Sequence, residues 1–389
     1  MHPDLRVALI DPVGCKAGMD HYDRLLLQGL QQAGAEVKLY SNFEYRGKVE
    51  VRRTFHNTGV AKWKAVLSNV IGSLQAYIDC KKGNYRWIIL HVFRAGLFDL
   101  IMFSIARIMG LKICAIVHDL ESLDTFSLGF VRHTVIHRLP HQRVVHNTFC
   151  RDQLLRGRTS GIPVHVIPHV NFRHVFKCYS DHPDNLQRLM ENKDVTSHFP
   201  KGIEEARQHG IPVLLFFGQI KKAKGLDILL EAVAGIDTPF KLIIAGKVRD
   251  ESWQKYDDKI TALNIRKKVI PIIRHISDPE RDYLFALSKA IVLPYTQIYQ
   301  SGVLLMAMSF PVTVLASDLP PNAELVEHGR NGLLFKSGDR HDLQSKLTEV
   351  LEDTFDFSAM NTRALEDVDK RYSPEMIGAM YADMFRGNA

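Results

Sequence analysis

The sequence lacks several features that would place it in a specialised class. Its cysteines are odd in number and show no C-x-x-C spacing, so they indicate neither a disulfide framework nor a zinc site and favour a reducing cytosol. The opening glycine loop does not follow the G-x-G-x-x-G fingerprint of dinucleotide-binding proteins. The first residues, MHPDLRVALID, contain neither a basic n-region nor a cleavage site, so no signal peptide is predicted.

Long uninterrupted apolar runs are also absent. The most apolar stretch, Ala95 to Val117, is interrupted by Asp99, Arg107 and Lys112. A helix of about a dozen residues followed by a buried strand therefore explains it better than a membrane span. No transmembrane anchor is predicted.

Size and composition indicate a soluble globular protein of two domains. With 389 residues the chain is too long for one hydrophobic core, and 46% apolar with 24% charged residues argues against long disorder. Lysine and arginine number 50 against 43 aspartate and glutamate residues, a net charge of +7. This surplus suits an anionic ligand or a negatively charged surface, but it is too diffuse to indicate nucleic acid.

Strands and helices are predicted to alternate along most of the chain. Leu5 to Ile10 is predicted as a strand, a loop with Gly14 and Gly18 follows, and a helix from about Asp20 to Ala33 leads to the next strand. Such β-α-β units are typical of a doubly wound sheet with a ligand at the carboxyl ends of its strands. Two such series are predicted, in residues 1–170 and 211–370, joined by a polar linker over 171–210.

The stretch VLLFFGQIKKAKGLDILL, Val213 to Leu230, is a candidate anion site. An apolar strand stops at Gly218, a basic segment with Lys222 and Lys224 follows, and an amphipathic helix begins after Gly225. Backbone N–H groups and the positive end of the dipole at a helix N-terminus attract anions, and the lysines would neutralise them. The pattern predicts a diphosphate site, with an ordinary strand-to-helix turn and solvated lysines as the alternative.

A second candidate segment runs from Ile291 to Phe335. A strand ends at Pro294, and a loop leads to Ser301 and Gly302, where a helix begins. Gly302 would let the backbone approach an anion, and Ser301 would cap the helix or donate its hydroxyl. A capped helix without a ligand is the alternative.

The order of these segments resembles one family. FFGQIKKAKGLDILLEAV, KLIIAG, LPYTQIYQSGVLLMAM and PVTVLASDLPPNAELVEHGRNGLLF resemble the carboxyl-terminal domain of family-four-type glycosyltransferases, and AIVHDLESL and VHVIPHVN resemble segments of the amino-terminal half. The resemblance covers nearly the whole chain. It implies an α/β fold of the GT-B type, two Rossmann-like domains facing each other across a central cleft, with a final helix in residues 371–389 returning to the first domain.

The resemblance implies that the second domain binds a nucleotide diphosphate sugar. Gly218 and Lys224 match the G-R…E-K-G signature whose basic pair holds the diphosphate. Gln219 stands in place of the usual arginine, and Lys222 or Lys221 would replace its charge. The remaining positions implied to bind the donor are Gly246, His275, Gln300, Ser301, Gly302 and Glu324.

The largest departure from the family concerns two carboxylates. Ile298 and Met306 stand where such enzymes usually carry glutamates that contact the sugar, phosphate and ribose, so those contacts are lost or rebuilt. Gln297 and Gln300 would supply amide contacts instead. The chain is therefore interpreted as a divergent branch, and a catalytically inactive binding subunit is an alternative function.

In the amino-terminal half, His118 and Asp119 match positions that lie beside the donor sugar in the family. The imidazole would contact the sugar, donate to the leaving phosphate or take the acceptor proton. Asp119 is interpreted as an orienting group or helix cap rather than an inverting-type base. The loop implied to face the acceptor and the donor phosphate comprises Gly14, Gly18, His21 and Tyr22. A strand-end histidine and a plain tight turn are the alternatives.

The resemblance implies transfer without a metal ion. No D-x-D motif stands where a divalent ion would be needed, and lysines and helix dipoles would act in its place. No cofactor is expected beside the donor substrate.

A basic and aromatic tract, Arg46 to Trp87, suits an anionic membrane surface. It includes Arg52, Arg53, Lys62, Trp63, Lys64, Lys81 and Lys82. A solvated face over a core helix is the alternative. If this tract meets a membrane, the inner face of the cell membrane is the expected location and a lipid-linked saccharide the expected acceptor.

The expected function is transfer of a UDP- or GDP-linked hexose to a saccharide acceptor, lipid-linked in bacterial polysaccharide or glycolipid synthesis. A nucleotide-sugar epimerase on the same fold is a further alternative, although no clear carboxylate set supports it. Nucleic-acid binding is not expected, because no groove-reading or stacking motif is present.

Overall fold

Two compact units make up the chain. A computed structural model describes residues 4–15, 18–45, 49–93, 95–118, 129–156, 161–180, 183–249 and 251–387. The first unit comprises Met1–Val170 together with Arg371–Ala389, and the second comprises Asn171–Lys370. Each unit has its own parallel sheet.

The strands of the first sheet alternate with helices along much of the chain, as the sequence predicts. They are β1 (Arg6–Ile10), β2 (Glu36–Ser41), β3 (Glu50–Arg53), β4 (Trp87–Val92), β5 (Lys112–Val117), β6 (Gln142–Val145) and β7 (Val164–Val166). Across the described residues their order in the sheet is β3-β2-β1-β4-β5-β6-β7, and neighbouring strands run parallel. The direction of the chain across the sheet reverses between β1 and β4, which is where such sheets bind ligands.

Helices cover this sheet. They are α1 (Met19–Gln32), α2 (Lys62–Lys82), α3 (Leu97–Ile108), α4 (Gly129–His137) and α5 (Thr148–Leu155). The apolar stretch Ala95 to Val117 is thus a helix followed by a strand, as predicted. In the part of the chain that the structure describes, no helix combines the length and apolarity required to cross a bilayer.

Residues 171–210, expected to be a linker, belong to the second unit. They form α6 (Arg173–Ser180), α7 (Pro183–Glu191), α8 (Lys193–Thr196) and α9 (Lys201–Gln208). Phe176 is fully buried, with its ring 5.2 Å from that of Phe310, and the N–H of Phe172 donates to Ser309 Oγ at 3.1 Å. The segment is polar on average, but Phe172 and Phe176 are buried in the core, which the composition alone did not show.

The second unit repeats the parallel α/β architecture. Its strands are β8 (Val213–Phe217), β9 (Lys241–Ala245), β10 (Val269–Ile272), β11 (Ala290–Leu293), β12 (Thr313–Ser317) and β13 (Leu333–Phe335). Its remaining helices are α10 (Leu226–Ala234), α11 (Trp253–Ala262), α12 (Asp278–Leu287), α13 (Gly302–Met308), α14 (Pro320–Ala323), α15 (Arg340–Leu351) and α16 (Phe357–Tyr372). Within the described residues the strand order is β10-β9-β8-β11-β12-β13, all parallel, so the reversal lies between β8 and β11.

The last helix, α17 (Pro374–Arg386), packs on α1 in the first unit. The two helices approach so closely that a Cβ atom on Gly29 would overlap the carbonyl oxygen of Pro374, and one on Gly378 would overlap the backbone of Gly29. Ile377 and Tyr381 of α17 are buried in the same core cluster as the strands of the first sheet. The chain end is therefore part of the core that supports α1.

Candidate functional site

The candidate donor residues all follow strands of the second sheet at their carboxyl ends. Gly218, Gln219, Lys222 and Lys224 follow β8, Gly246 follows β9, His275 follows β10, Gln300, Ser301 and Gly302 follow β11, and Glu324 follows α14 after β12. Because the strands are parallel, these positions share one edge of the sheet. Gln219, Lys222 and His275 are exposed at this edge, whereas Lys224, Gln300, Gly302 and Glu324 are half-buried.

The segment carrying Lys224 lies directly on the loop that follows β11. A short 3-10 turn spans Lys222–Lys224, and the N–H of Thr296 donates to the carbonyl oxygen of Ala223 at 3.0 Å. Gly225, at φ +67°, packs so tightly that a Cβ atom would overlap the carbonyl oxygen of Pro294. Only glycine satisfies both the left-handed backbone and this contact, so the glycine after the lysines fixes the position of Lys224.

The ammonium group of Lys224 lies near the start of α13. Its Nζ is 3.7 Å from the ring centroid of Tyr295, and the Tyr295 hydroxyl lies 3.5 Å from Ser301 Oγ. Ser301 Oγ accepts the N–H of Leu304 at 3.0 Å, so this side chain is the cap of α13. The contacts therefore connect the lysine segment to the Ser301 loop, the two segments that the sequence singled out separately.

Two glycines bring the ends of β8 and β9 together at the same edge. The N–H of Gly218 donates to the carbonyl oxygen of Ala245 at 3.0 Å, and a Cβ atom on Gly246 would overlap the Gly218 carbonyl. A Cβ atom on Gly218 would meet Val303 Cγ2 of α13 at 3.4 Å. The backbone around Gly218 is thus flanked by β9 on one side and the start of α13 on the other.

The positions of the missing glutamates are both half-buried. Ile298 lies in the loop before α13, and Met306 lies on α13 itself. Neither side chain can accept a hydrogen bond in the way a carboxylate does. The second unit therefore offers cationic and backbone groups to an anion, without carboxylates at these two positions for sugar hydroxyls.

In the first unit, polar side chains follow successive strands. Asp11 follows β1, His91 lies near the end of β4, His118 follows β5 and His146 follows β6. The sequence singled out only His118 of this group as catalytic. Asp119, its predicted partner, lies outside the described residues.

A chain of hydrogen bonds runs from α1 to His118. Asp23 Oδ1 lies 2.9 Å from His91 Nε2, and His91 Nδ1 lies 2.8 Å from His118 Nε2. The ring of Phe93 stacks on that of His118 with centroids 4.4 Å apart. His118 is only 3% exposed. Its ring is held in one orientation by the hydrogen bond to His91 and by the stacked ring of Phe93.

Tyr22, expected to face the acceptor, is instead buried at the centre of this group. Its ring is 1% exposed, and its hydroxyl lies 3.5 Å from both His146 Nε2 and Tyr381 Oη. Its ring also makes edge contacts with His169 at 4.5 Å and His91 at 5.6 Å. Position 22 lies on the face of α1 that packs on the sheet, which turns the side chain inward.

The other predicted loop residues lie around the start of α1. Gly14 and Gly18 have φ of +52° and +77°, and Gly18 is the residue before α1. His21 is half-buried, with its Nδ1 3.0 Å from an Arg24 guanidinium nitrogen. Asp11 accepts the N–H groups of Val13 at 2.8 Å and Gly14 at 2.7 Å, so this carboxylate anchors the loop.

Burial keeps the histidines of the cluster neutral. It lowers the pKa of His146 to about 3 and that of His169 to about 4. Burial also lowers the pKa of His91, and it lowers the pKa of His118 well below 6.5, with neighbouring histidines adding to the effect. A neutral imidazole at His118 is able to accept a proton or a hydrogen bond from a hydroxyl group.

Asp11 and Asp23 form a buried carboxyl pair. Both are 0% exposed, and one oxygen of each lies within 4.8 Å of the other and of a His91 nitrogen. Burial raises the pKa of Asp11 to about 7, with the charge of Asp23 adding to it, and burial raises the pKa of Asp23 to about 8. Among the described groups, none hydrogen-bonds to Asp23 Oδ2.

A cation is a poor fit to this pair. Both oxygens of Asp11 accept backbone N–H groups, and both nitrogens of His91 are within hydrogen-bond distance of other side chains. A metal ligand needs a lone pair directed at the ion, and the single lone pair of the neutral His91 ring is already engaged by these hydrogen bonds. A proton is the simpler way to neutralise one of the two charges.

A cavity of about 250 Å³ adjoins the carboxyl pair at the switch point of the first sheet. Asp11 and His91 form part of its wall between the ends of β1 and β4. The helices α2 and α3 supply the opposite side, with apolar groups at Met102 and Phe103 and a carboxyl group at Asp99. The lining is thus apolar with a few polar groups, as is usual for small-molecule sites.

Sequence reasoning missed Asp11, Asp23 and His91 because each is unremarkable in its local pattern. The available signal was the repetition of a polar residue at the end of β1, β4, β5 and β6. In a parallel sheet those ends share one edge, so four such residues predict a cluster.

One residue of the tract that was predicted to suit a membrane surface is not exposed. Trp87, at the end of that tract, is buried at 7% exposure and packs on Phe385 with ring centroids 4.9 Å apart.

Comparison with protein families identifies the second unit. Residues 211–353, which contain the Lys224 segment and the Ser301 loop, match the family described as glycosyl transferases group 1. The second unit carries a glycosyl transferases group 1 domain. This group 1 domain includes every candidate donor residue, and the recognition made from the sequence motifs is confirmed for this part of the chain.

Curated relatives match parts of the chain. GDP-mannose:glycolipid 4-beta-D-mannosyltransferase of Xanthomonas campestris pv. campestris is 28% identical over 123 residues, 31% of this chain and 35% of that protein. D-inositol 3-phosphate glycosyltransferase of Corynebacterium aurimucosum is 27% identical over 201 residues, 46% of each. The chain therefore matches about a third to a half of the length of these relatives.

Solved structures of similar fold cover nearly the whole chain. Sucrose-phosphate synthase from Thermosynechococcus elongatus superposes with a TM-score of 0.75 at 16% identity, over 98% of both chains. HepE from Anabaena, in complex with UDP and glucose, superposes with a TM-score of 0.71 at 18% identity, over 98% of this chain and 100% of that chain. These likenesses confirm the GT-B fold expected from the sequence.

Proposed function

We propose that the protein is a glycosyltransferase whose group 1 domain binds the diphosphate of a nucleotide sugar. The observation that carries this is the connection of Lys224 to Ser301 through Tyr295, at the point where the strand order of the second sheet reverses. Lys224 and the exposed Lys222 supply positive charge, and the close packing of Gly218 and Gly246 holds the ends of β8 and β9 together at the same edge of the sheet. HepE, a structural neighbour, is known in complex with UDP and glucose, which supports the same ligand class here.

A melting-temperature panel tests donor binding. We expect one of UDP, GDP or ADP, and the matching sugar nucleotide, to raise the melting temperature, because a ligand that binds only the native state stabilises it. At a ligand concentration of 100 times Kd the stabilisation is about 2.7 kcal/mol. Free ribose and inorganic phosphate serve as controls. No shift with any nucleotide diphosphate at millimolar concentration contradicts the proposal.

In the first unit we propose that His118 acts on the acceptor hydroxyl or the donor sugar. Its neutral ring, fixed by His91 and Phe93, is suited to accept a proton rather than to supply a charge. The cavity beside Asp11 and His91 is the proposed place for the acceptor, since it combines apolar walls with a few polar groups.

The acceptor that we propose is lipid-linked, because α2 and α3 present an exposed apolar surface. On α2, Trp63, Leu67 and Ile71 recur at helical spacing and are 65%, 50% and 46% exposed. On α3, Leu97 and Ile108 are 59% and 86% exposed. Apolar patches of this kind on a single chain mark interaction surfaces.

Basic residues flank the apolar stripe of α2. Lys62 and Lys64 are exposed at its first turn, and Lys81 and Lys82 lie in its last turn. Arg52 forms an ion pair with Asp79, so its charge is partly compensated within the protein. An apolar stripe with lysines beside it suits the interface of an anionic bilayer better than it suits an apolar protein partner.

Vesicle flotation tests this surface. We expect the protein to float with phosphatidylcholine vesicles that contain phosphatidylglycerol, and to bind less as salt is raised. Replacing Trp63 and Leu67 together by serine is expected to weaken binding at least tenfold, since each buried apolar side chain contributes roughly 1.5 to 3 kcal/mol. The control is Met376→Ser, an exposed apolar residue on α17. If the wild type does not float but elutes as a dimer, the surface contacts a second copy instead.

A catalytically inactive binding subunit is the second candidate. Ile298 and Met306 favour it, because they remove the carboxylates that the family pattern places beside the sugar and ribose. Nucleotide-sugar binding without transfer or hydrolysis, across lipid-linked and free saccharide acceptors, is the result expected of that function.

A further inference from the structure

In the first unit, Asp23, His91 and His118 form a buried series of hydrogen bonds, and the state of the Asp23 carboxyl group sets which atoms donate in it. Asp23 Oδ1 faces His91 Nε2 at 2.9 Å, and Asp23 Oδ2 has no donor among the described groups. A carboxylate in a fully buried position needs its lone pairs satisfied or its charge neutralised. The neighbouring Asp11 carboxylate has both oxygens engaged by backbone N–H groups, so it accepts but has no proton of its own to spare when ionised.

We propose that Asp11 and Asp23 share one proton through Asp23 Oδ2, and that Asp23 and His91 are positioning residues that fix the tautomer of His118. With the shared proton on the Oδ2 side, Asp23 Oδ1 remains an acceptor. His91 then carries its proton on Nε2 and presents a lone pair at Nδ1. His118 must donate from Nε2 to that lone pair at 2.8 Å, so the basic lone pair of its neutral ring is at Nδ1.

The titratable groups that the structure describes near these hydrogen bonds do not reverse their direction. They include Asp20 and Tyr22 on α1, Cys114 on β5, His146 after β6, His169 after β7 and Tyr381 on α17. Asp20 adds negative charge near Asp23, which favours the protonated pair. The histidines are neutral and the tyrosines protonated, because burial disfavours their charged forms. None of them competes with Asp23 Oδ1 for the proton on His91 Nε2.

The inference rests on the proposed function only for the role of His118, because the tautomer itself is measurable without substrate. In the full chain labelled with ¹⁵N-histidine, we expect one neutral tautomer of His118, protonated at Nε2, with its signals assigned by their loss in His118→Gln. Asp23→Asn keeps an oxygen toward His91 and an amide donor toward Asp11, so it is expected to preserve that tautomer. Asp23→Leu removes the acceptor, and we expect both tautomers of His118 to be populated.

Infrared spectroscopy tests the shared proton without relying on a destabilising variant. Near pH 7.5, between the pKa values of about 7 for Asp11 and about 8 for Asp23, the wild type should show the carbonyl band of a buried protonated carboxyl group, and Asp23→Asn should lose it. Absence of the band in the wild type overturns the proposal, as does an unchanged His118 tautomer in Asp23→Leu. A stoichiometric metal ion in the purified chain would also overturn it, since the cation would then neutralise the pair.

Activity separates this inference from the proposed function. If transfer is found, Asp23→Leu should lower kcat by roughly a hundredfold with little change in KM. Asp23→Asn should retain most of the wild-type kcat. If the tautomer and infrared results hold but no transfer occurs with any donor, the proposed function fails and the proton arrangement stands.

Discussion

Replacement of Lys224 by alanine should weaken binding of the nucleotide diphosphate by roughly ten- to 150-fold, the range that hydrogen bonds to charged groups give. Lys224 is half-buried and held over Tyr295, so its ammonium group is already positioned before a ligand arrives. Lys222 is exposed, and its replacement by alanine should cost less because an exposed charge is screened by water and salt. Isothermal titration with the nucleotide found in the melting panel measures both changes.

Three variants make the Lys224 experiment specific. Lys267→Ala removes an exposed lysine elsewhere in the second unit and should leave affinity unchanged. Lys224→Arg keeps the charge but not the compact ammonium group, so partial retention of affinity is expected. The melting temperature without ligand should change little in Lys224→Ala, because cation–π contacts of this kind contribute only about 0.5 to 2 kcal/mol. Unaltered affinity in Lys224→Ala would show that the diphosphate, if bound, lies elsewhere.

The stability of the first unit is expected to be greatest near pH 6.5 and to fall on both sides. Below pH 6.5 the unfolded chain protonates histidines that remain neutral when buried, including His146 with a pKa of about 3 and His169 with a pKa of about 4. The unfolded state then binds more protons than the native state, so stability is lost as pH falls from 6.5 toward 4. His91 and His118, whose pKa values burial also lowers, act in the same direction.

Asp11 and Asp23 have the opposite effect on the pH dependence of stability, because their pKa values are raised in the native state. The pKa values of Asp11 and Asp23 are raised to about 7 and about 8, so the native state holds protons that the unfolded chain has released above about pH 4. Their contribution therefore declines as pH rises toward 8. Between pH 4 and 6.5 the histidines outnumber the carboxyl groups, which leaves a net loss of about 2 to 3 kcal/mol per pH unit of acidification.

Hydrogen exchange of peptides from β4 and β5, followed from pH 5 to 8 and corrected for intrinsic rates, measures the stability of this unit separately from the other. His146→Gln should reduce the acid dependence by about 1.4 kcal/mol per pH unit, the value for one proton. His209→Gln, at an exposed position on the second unit, should leave it unchanged. A stability that is flat between pH 5 and 6.5 would contradict a neutral histidine cluster.

Local patterns predicted the elements of both sheets with small errors. β8 ends directly before Gly218, where the apolar run stops, and β5 is the strand predicted after a helix within Ala95 to Val117, because buried parallel strands are continuous apolar segments between turns. Residues 171–210 were misinterpreted since their average polarity hid Phe172 and Phe176, which are buried in the second unit. Composition averages over a segment, whereas burial is decided by single side chains.

The candidate donor site was predicted from short-range signals. Gly218, Lys224 and Ser301 each stand at a strand end next to a turn, and chain-local chemistry is enough to mark such positions. Whether the lysine segment and the Ser301 loop meet depends on β8 lying beside β11, which the order of strands along the chain does not reveal.

By itself the sequence determined the α/β alternation, the basic glycine turn after β8 and the kinship of the second unit to group 1 glycosyl transferases, because these depend on residues close together in the chain. Only the tertiary structure decided that Asp23, His91 and His118 form one hydrogen-bonded chain. Asp23 and His91 are 68 positions apart, and they meet because β4 pairs with β1 while α1 packs across them. The charge states of the group follow from burial, a property of the packed unit and not of any segment.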